Sequence, residues 1–184
     1  QKGFRPVLLE PGGKKPVGSD WTNRPVPSVD QFTGYHNIGV LLGKAGGFVV
    51  DIDIDDHELV PVMEHFLPHT PVKFGRYYGK GEQTIGHWVY IVDEDIRRTV
   101  INNPTGGVAV EFRASGCQTM APCSAIWDPN IGDGGGVDCV RWSGNAASLG
   151  ELIPATVSTS YLIMSFRVAS ISHYSLKYFK EGSF

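Results

Sequence analysis

The stretch Phe48-Val49-Val50-Asp51-Ile52-Asp53-Ile54-Asp55 decides how the rest of the chain is read. Side chains alternate across a β-strand, so Asp51, Asp53 and Asp55 fall on one face, and Val50, Ile52 and Ile54 on the other. The apolar face predicts a strand packed inward on a core. The carboxylates repel one another unless positive charge sits among them, and a divalent cation that prefers oxygen ligands, such as Mg²⁺, meets that need. Two carboxylates at i and i+2 on a rigid strand, joined by a third from elsewhere, form a platform for metal-assisted phosphoryl chemistry. There, two ions about 3.5–4 Å apart serve the attacking and leaving oxygens. A lone Asp-x-Asp is a short motif that also describes a solvated, acidic edge strand, so its surroundings must decide.

Val108-Ala109-Val110-Glu111-Phe112-Arg113 predicts a second strand, with Glu111 opposite Val110 and Phe112 and beside Ala109 and Arg113. By itself such a glutamate is an ordinary surface residue; beside Asp51 and Asp53 it is a candidate third carboxylate. Between the two strands, Lys73, Gly75, Arg76, Gly79, Lys80 and Gly81 read as a basic loop. Its glycines allow the backbone to approach an anion closely. His87 follows Gly86 at the start of the next predicted strand, placed to donate a hydrogen bond to a triphosphate. An acidic platform facing a basic, glycine-rich segment is the electrostatic layout of a nucleoside-triphosphate site.

Outward from these segments, apolar runs at 38–42 and 48–50 around a glycine-rich turn predict a hairpin. Asp55-Asp56 supplies a cap for a helix through Leu67, with Leu59, Met63 and Phe66 at helical spacing and Pro68 ending it. A strand is expected at 6–9, a short one at 70–72, a short helix over 93–100, a strand pair from 107–112 and 118–121, a last strand over 138–142, and a helical tail beyond 149. The plan is α+β or α/β with an antiparallel component.

The 184 residues, 41% hydrophobic and 19% charged, suit one folded domain and exclude a wholly disordered chain. A net charge of -3 argues against holding nucleic acid by bulk charge alone, but permits a local basic groove. Lys2, Arg5, Lys14, Lys15 and Arg24 make the N-terminal stretch basic around Trp21. Lys14 and Lys15 contacting template phosphates, with Trp21 stacking a base, is one reading; a solubilising face over a core Trp21 is the other. Cys117, Cys123 and Cys139 are an odd set without a CxxC pair. A reduced intracellular setting is therefore expected, and a zinc site is not. No apolar run reaches the roughly 20 residues of a membrane helix, so a soluble protein without a membrane partner is expected.

Lys14-Lys15-Pro16 with Trp21, Asn37-Ile38-Gly39-Val40-Leu41-Leu42-Gly43, and Gly46-Gly47-Phe48-Val49-Val50-Asp51-Ile52-Asp53 follow one another. After them come Thr70-Pro71-Val72, His87, Val110-Glu111-Phe112-Arg113, Gln118, Ala121-Pro122-Cys123-Ser124, Arg141-Trp142 and Leu152-Ile153-Pro154. In order and spacing these pieces resemble the bifunctional primase–polymerase domain of plasmid and phage replication proteins, in the archaeo-eukaryotic primase superfamily. The resemblance implies a two-lobed α/β (α+β) core, with an RNA-recognition-motif-like mixed or antiparallel sheet and a short helical C-terminal tail. Residues 1–155 would be the catalytic domain, and 156–184 a helical extension or the start of a linker to a downstream domain.

The resemblance further implies that Asp51, Asp53 and Glu111 hold the catalytic Mg²⁺ or Mn²⁺, two ions in all, and that His87 contacts the nucleotide. Arg76, Lys80 and Arg113 are the basic residues expected to accompany it. Where the family often has Asp, this chain has Glu111; where it usually has Ser two residues before the histidine, this chain has Ile85, which leaves Thr84 or the loop glycines for that phosphate contact. The implied activity is template-directed joining of dNTPs or NTPs on single-stranded DNA, by attack of a 3′-hydroxyl on the α-phosphorus with release of pyrophosphate. The implied setting is cytoplasmic replication of a plasmid, phage or other mobile element, with a helicase domain or protein as partner. A non-catalytic nucleic-acid-binding module with a degenerate acidic cluster and a metal-dependent nuclease are the alternatives on the same residues.

Overall fold

The computed structural model describes residues 4–77, 83–104, 106–128, 136–142 and 153–181. In chain order the first strands are β1 (Pro6–Leu9), β2 (Asn37–Leu41) and β3 (Val49–Ile54), followed by helix α1 (Val60–Phe66). Next come β4 (Lys73–Tyr77), β5 (Gln83–Val92), β6 (Thr99–Asn102), β7 (Val108–Arg113), β8 (Gln118–Met120) and β9 (Ala125–Asp128). The chain closes with β10 (Gly136–Trp142), β11 (Ala155–Val157) and helix α2 (Thr159–Glu181).

These strands form two sheets. The small one runs β1-β2-β8, and the large one β6-β7-β3-β5-β4-β10-β9, with β11 added along β5. Among the described residues, each pairing between these strands is antiparallel except β11 on β5, so the large sheet is mixed. The mixed α+β architecture expected from the sequence is present.

The alternation read in β3 sets the layers. Val50, Ile52 and Ile54 are buried with Trp88, Tyr90, Val110 and Phe112 against Leu59 just before α1, Met63 of α1, and Leu162, Phe166 and Ala169 of α2. On the opposite face Val49, Val89, Phe74 and Val140 pack against Val7, Leu9, Leu41, Leu42 and Met120 from the small-sheet side. Asp56 caps the helical segment, accepting from Glu58 N, as its position predicts. α2 is pinned at its start, where Asp93 Oδ1 accepts from the Thr159 backbone N (2.8 Å) and hydroxyl (2.7 Å). Those bonds hold the Asp93 carboxyl below the usual carboxylate range.

Several local expectations are corrected. The runs at 38–42 and 48–50 do not form a hairpin: β2 lies in the small sheet and β3 in the large one, joined by a single bridge between Gly43 and Val49. The turn has a different geometry from a hairpin's. Gly43 (φ 72) and Gly47 (φ 81) take positive φ, and a Cβ on Gly46 would lie 1.9 Å from the Leu41 carbonyl oxygen. That close approach swings the chain from one sheet to the other. Likewise β7 and β8 do not pair; β7 joins β3 and β6, and β8 joins β2. Residues 93–100 form no helix and lead into strand β6. The first part of the basic loop is strand β4, and β11 adds a strand where only helix is expected.

Phe166 meets Phe112 edge-on, with ring centroids 5.6 Å apart at 87°. Phe166→Ala should therefore cost about 3–5 kcal/mol in denaturant unfolding followed by circular dichroism. A loss below about 1 kcal/mol would show that α2 contributes little to this face.

Candidate active site

Strand β3 lies between β5 and β7, and its register fixes the site. Asp53 pairs with His87 on one side and Glu111 on the other, while Asp51 pairs with Val89 and Arg113. One row across three strands therefore carries His87, Asp53 and Glu111 on the carboxylate face. Along β3 that face passes from buried Val49 through fully buried Asp51 and half-buried Asp53 to exposed Asp55. The strand thus runs from the core between the sheets out into a cleft.

His87 Nδ1 lies 3.0 Å from Asp51 Oδ2 and 3.4 Å from Asp53 Oδ1. Its ring stacks on Phe74, its cross-strand partner, with centroids 4.8 Å apart and planes inclined 19°. Arg113 Nη1 donates to Asp53 Oδ2 at 3.1 Å, and its Nε lies 3.6 Å from Glu111 Oε2. Arg113 also donates to the Gln118 carbonyl, and Arg98 closes on the other side of Glu111.

The electrostatics follow from this geometry. Burial opposes the Asp51 charge, but the His87 charge and hydrogen bond, with Arg113 behind them, outweigh it and hold the carboxyl below the usual range. Burial pushes Asp53 up, and repulsion from Asp51 and Asp55 adds to that against the pull of His87 and Arg113. Burial and Glu111 raise Asp55. For His87, burial works against the charged ring, yet Asp51 and Asp53 prevail and raise it above its ordinary value.

The donor set fits a divalent cation. Ligand atoms of Asp51, Asp53 and His87 all lie within 4.8 Å of one another. Oδ1 of Asp51 is buried and, among the described residues, has no hydrogen bond of good geometry; the Thr119 side chain is a weakly placed donor that favours the carboxylate's charge. A buried carboxylate oxygen short of well-formed hydrogen bonds is what a cation would complete.

The sequence-derived candidates fall as follows. Asp51, Asp53 and His87 come together. Glu111 is adjacent in the row, but its carboxylate is engaged by Arg98 and Arg113 rather than gathered with those three. Arg113 sits among the carboxylates. Arg76 reaches the same cleft from strand β4, where it pairs with Asp138 at 3.9 Å. Lys73 faces the other way, bonded to Glu64 at 3.2 Å and set over the Trp88 ring. Lys80 and the Thr84 side chain lie outside the described residues. Lys14 lines the cleft, a space of about 110 Å³ bounded also by Asp53, Asp55, Arg76, His87, Arg113 and Gln118. Lys15 instead pairs with Glu10 at 3.6 Å. Trp21 packs on the core between the sheets and lines a neighbouring cleft of about 420 Å³ with Pro16, Arg98, Glu111, Arg113 and Gln118. Sequence reasoning did not select Arg98, Asp138 or Thr119, because each joins the site only through strand pairing that has no local signal.

A family model for the N-terminal domain of bifunctional DNA primase/polymerases matches residues 1–154. The chain belongs to this primase/polymerase family. No curated protein matches it as a relative. Membership places the chain among primase/polymerase-type nucleotidyltransferases, which act on a DNA template and nucleotides and typically use divalent metals. Among the described residues of this family member, no helix is long and apolar enough to cross a membrane.

The His87 pair makes a prediction for the metal-free protein. Asp51 and Asp53 from β3 and Arg113 from β7 act on the ring, beside Phe74 and Arg76 of β4. Because the folded pKa of His87 is raised, its stabilisation is complete below the unfolded value near 6.5 and is lost as pH rises through the folded value. The wild-type Tm should fall across that window, and the His87→Gln Tm should fall less. Equal slopes in the two proteins would contradict the pairing.

Proposed function

We propose that this domain is the catalytic core of a template-directed DNA primase or polymerase. The single observation that carries the reading is the buried Asp51–His87–Asp53 cluster opening onto a cleft lined by Arg76 and Arg113 in a chain of this family. Asp51 and Asp53, with Glu111 as the third carboxylate, are the residues proposed to hold two Mg²⁺ or Mn²⁺ ions, which supply activation of the attacking hydroxyl and neutralisation of the leaving phosphates. Ligation by Glu111 requires its release from Arg98 or Arg113, an exchange that arriving positive charge favours.

The chain's own residues orient the substrates. Arg76 and Arg113, with Lys80 on the segment between β4 and β5, offer fixed positive charge to the triphosphate of an incoming dNTP or NTP. His87 commits Nδ1 to Asp51 and keeps Nε2 for the nucleotide. Lys15 and Trp21 are assigned to the single-stranded template, the lysine to phosphate and the indole to an unpaired base. In the reaction the 3′-oxygen forms a bond to the α-phosphorus, the bond from α-phosphorus to the bridging oxygen breaks, and pyrophosphate leaves. The hydroxyl proton passes to water, no dedicated base being evident among the described residues of the cleft. Replication of a plasmid, phage or similar element in the cytoplasm, with a helicase as partner, is the setting that fits such a core.

One assay tests the reading: labelled dNTP or NTP, a single-stranded template and Mg²⁺ or Mn²⁺, with Asp51→Ala/Asp53→Ala as control. The wild type should extend or start a strand, and the double variant should lose about a thousandfold or more. Degradation of the template would favour a nuclease. Binding without incorporation would favour a non-catalytic module, and incorporation that survives the double substitution would place the site elsewhere.

A further inference from the structure

Lys14 and Lys15 are neighbours in sequence but not in use. Residues 10–15 form a closed turn, with Glu10 N donating to Lys15 O at 2.8 Å, Gly13 N to Glu10 O at 3.1 Å, and Leu9 bridged to Pro16. Two side chains fasten this turn to the small sheet: Asn37 Nδ2 donates to Gly13 O (2.9 Å), and Gln118 Nε2 to Lys14 O (2.9 Å). The backbone of Lys14 is therefore held by β2 and β8 and does not drift as a loose basic tail. Lys15 stands out from this turn, its side chain 79% exposed and paired with Glu10. Lys14 lines the cleft that holds Asp53, Asp55, Arg76, His87 and Arg113.

The cations in that cleft are not equivalent. Arg113 is bonded to Asp53, Arg76 is paired with Asp138, and His87 lies between Asp51 and Asp53. Lys14 has no carboxylate within 4.0 Å among the described residues. The Lys14 side chain lines this cleft of about 110 Å³ together with two guanidinium groups, a concentration of positive charge that suits a phosphate chain.

We propose that Lys14 contacts the triphosphate of the incoming nucleotide, and not the phosphates of the template strand. This assignment rests on the polymerase reading of the cleft and deepens it by separating two adjacent lysines into a nucleotide residue and a template residue. Burial first, then the charges of Arg76 and Arg113, hold the Lys14 ammonium below its ordinary value against the pull of Asp53 and Asp55. The ammonium, with three donors and no fixed plane, suits a flexible phosphate chain.

The test measures two affinities on the same proteins: dGTP with Mn²⁺, and a fluorescent single-stranded 20-mer. Wild type, Lys14→Ala, Lys14→Arg and Lys15→Ala are compared, with thermal melts confirming that each is folded. Lys14→Ala should weaken dGTP binding about ten- to a hundredfold, leave oligonucleotide binding within about twofold, and be largely rescued by Lys14→Arg. Lys15→Ala should show the reverse pattern. Loss of oligonucleotide affinity in Lys14→Ala with dGTP affinity intact overturns the proposal, and so does no change in either. A wild type that binds the oligonucleotide but not dGTP overturns the polymerase reading itself, and is told apart by that arm alone.

Discussion

A carboxylate with no exposure to solvent, Asp51, lies on β3, an interior strand of the large sheet. Such a charge is too costly to bury unless it is paired. The answer here is His87 on the next strand, with its Nδ1 set against both Asp51 and Asp53, and Arg113 on the strand opposite. Breaking one member leaves the others buried and uncompensated, so β5 and β7 are tied to β3 by charge as well as by their ladders. Phe74 stacked on His87 carries the same constraint to β4.

The two layers follow from this demand. One face of β3 is wholly apolar and takes both helices, while the other turns from Val49 to carboxylates within a few residues. The small sheet covers the apolar end of that second face, and Thr119 and Gln118 of β8 stand where the charged part begins. The cleft therefore opens where the small sheet stops. Its cations come from separate elements: Lys14 from the N-terminal turn, Arg76 from β4, and Arg113 from β7. A net charge of -3 thus describes the balance of unlike patches, with acid clustered on β3 and base around its rim.

Much of this arrangement was legible in the sequence where the signal is local. Alternation marked β3 and put Asp51 and Asp53 on one face, Asp56 announced a helical start, and the apolar run after Gly86 marked most of β5. Pairing was not legible. Two β-rich runs around a glycine turn look alike whether the chain folds back on itself or crosses to another sheet, and only the close approach of Gly46 to Leu41 distinguishes them. The basic segment after Val72 shows the same limit. Its glycines suggest a loop, yet Lys73 and Arg76 lie on a strand and face opposite ways, so only Arg76 reaches the site. Glu111 was visible as a candidate, but its bonds to Arg98 and Arg113 depend on a register that no short window contains.

The pair of aspartates on β3 is proposed as a cation site balanced, without metal, by His87 and Arg113. Titration of Mn²⁺ into the wild type and Asp51→Asn/Asp53→Asn proteins, followed by electron paramagnetic resonance, tests it most directly. The wild type should bind Mn²⁺ saturably, and the double variant tenfold or more weakly (about 1.4 kcal/mol or more). Equal Mn²⁺ affinity in the two folded proteins would contradict that assignment.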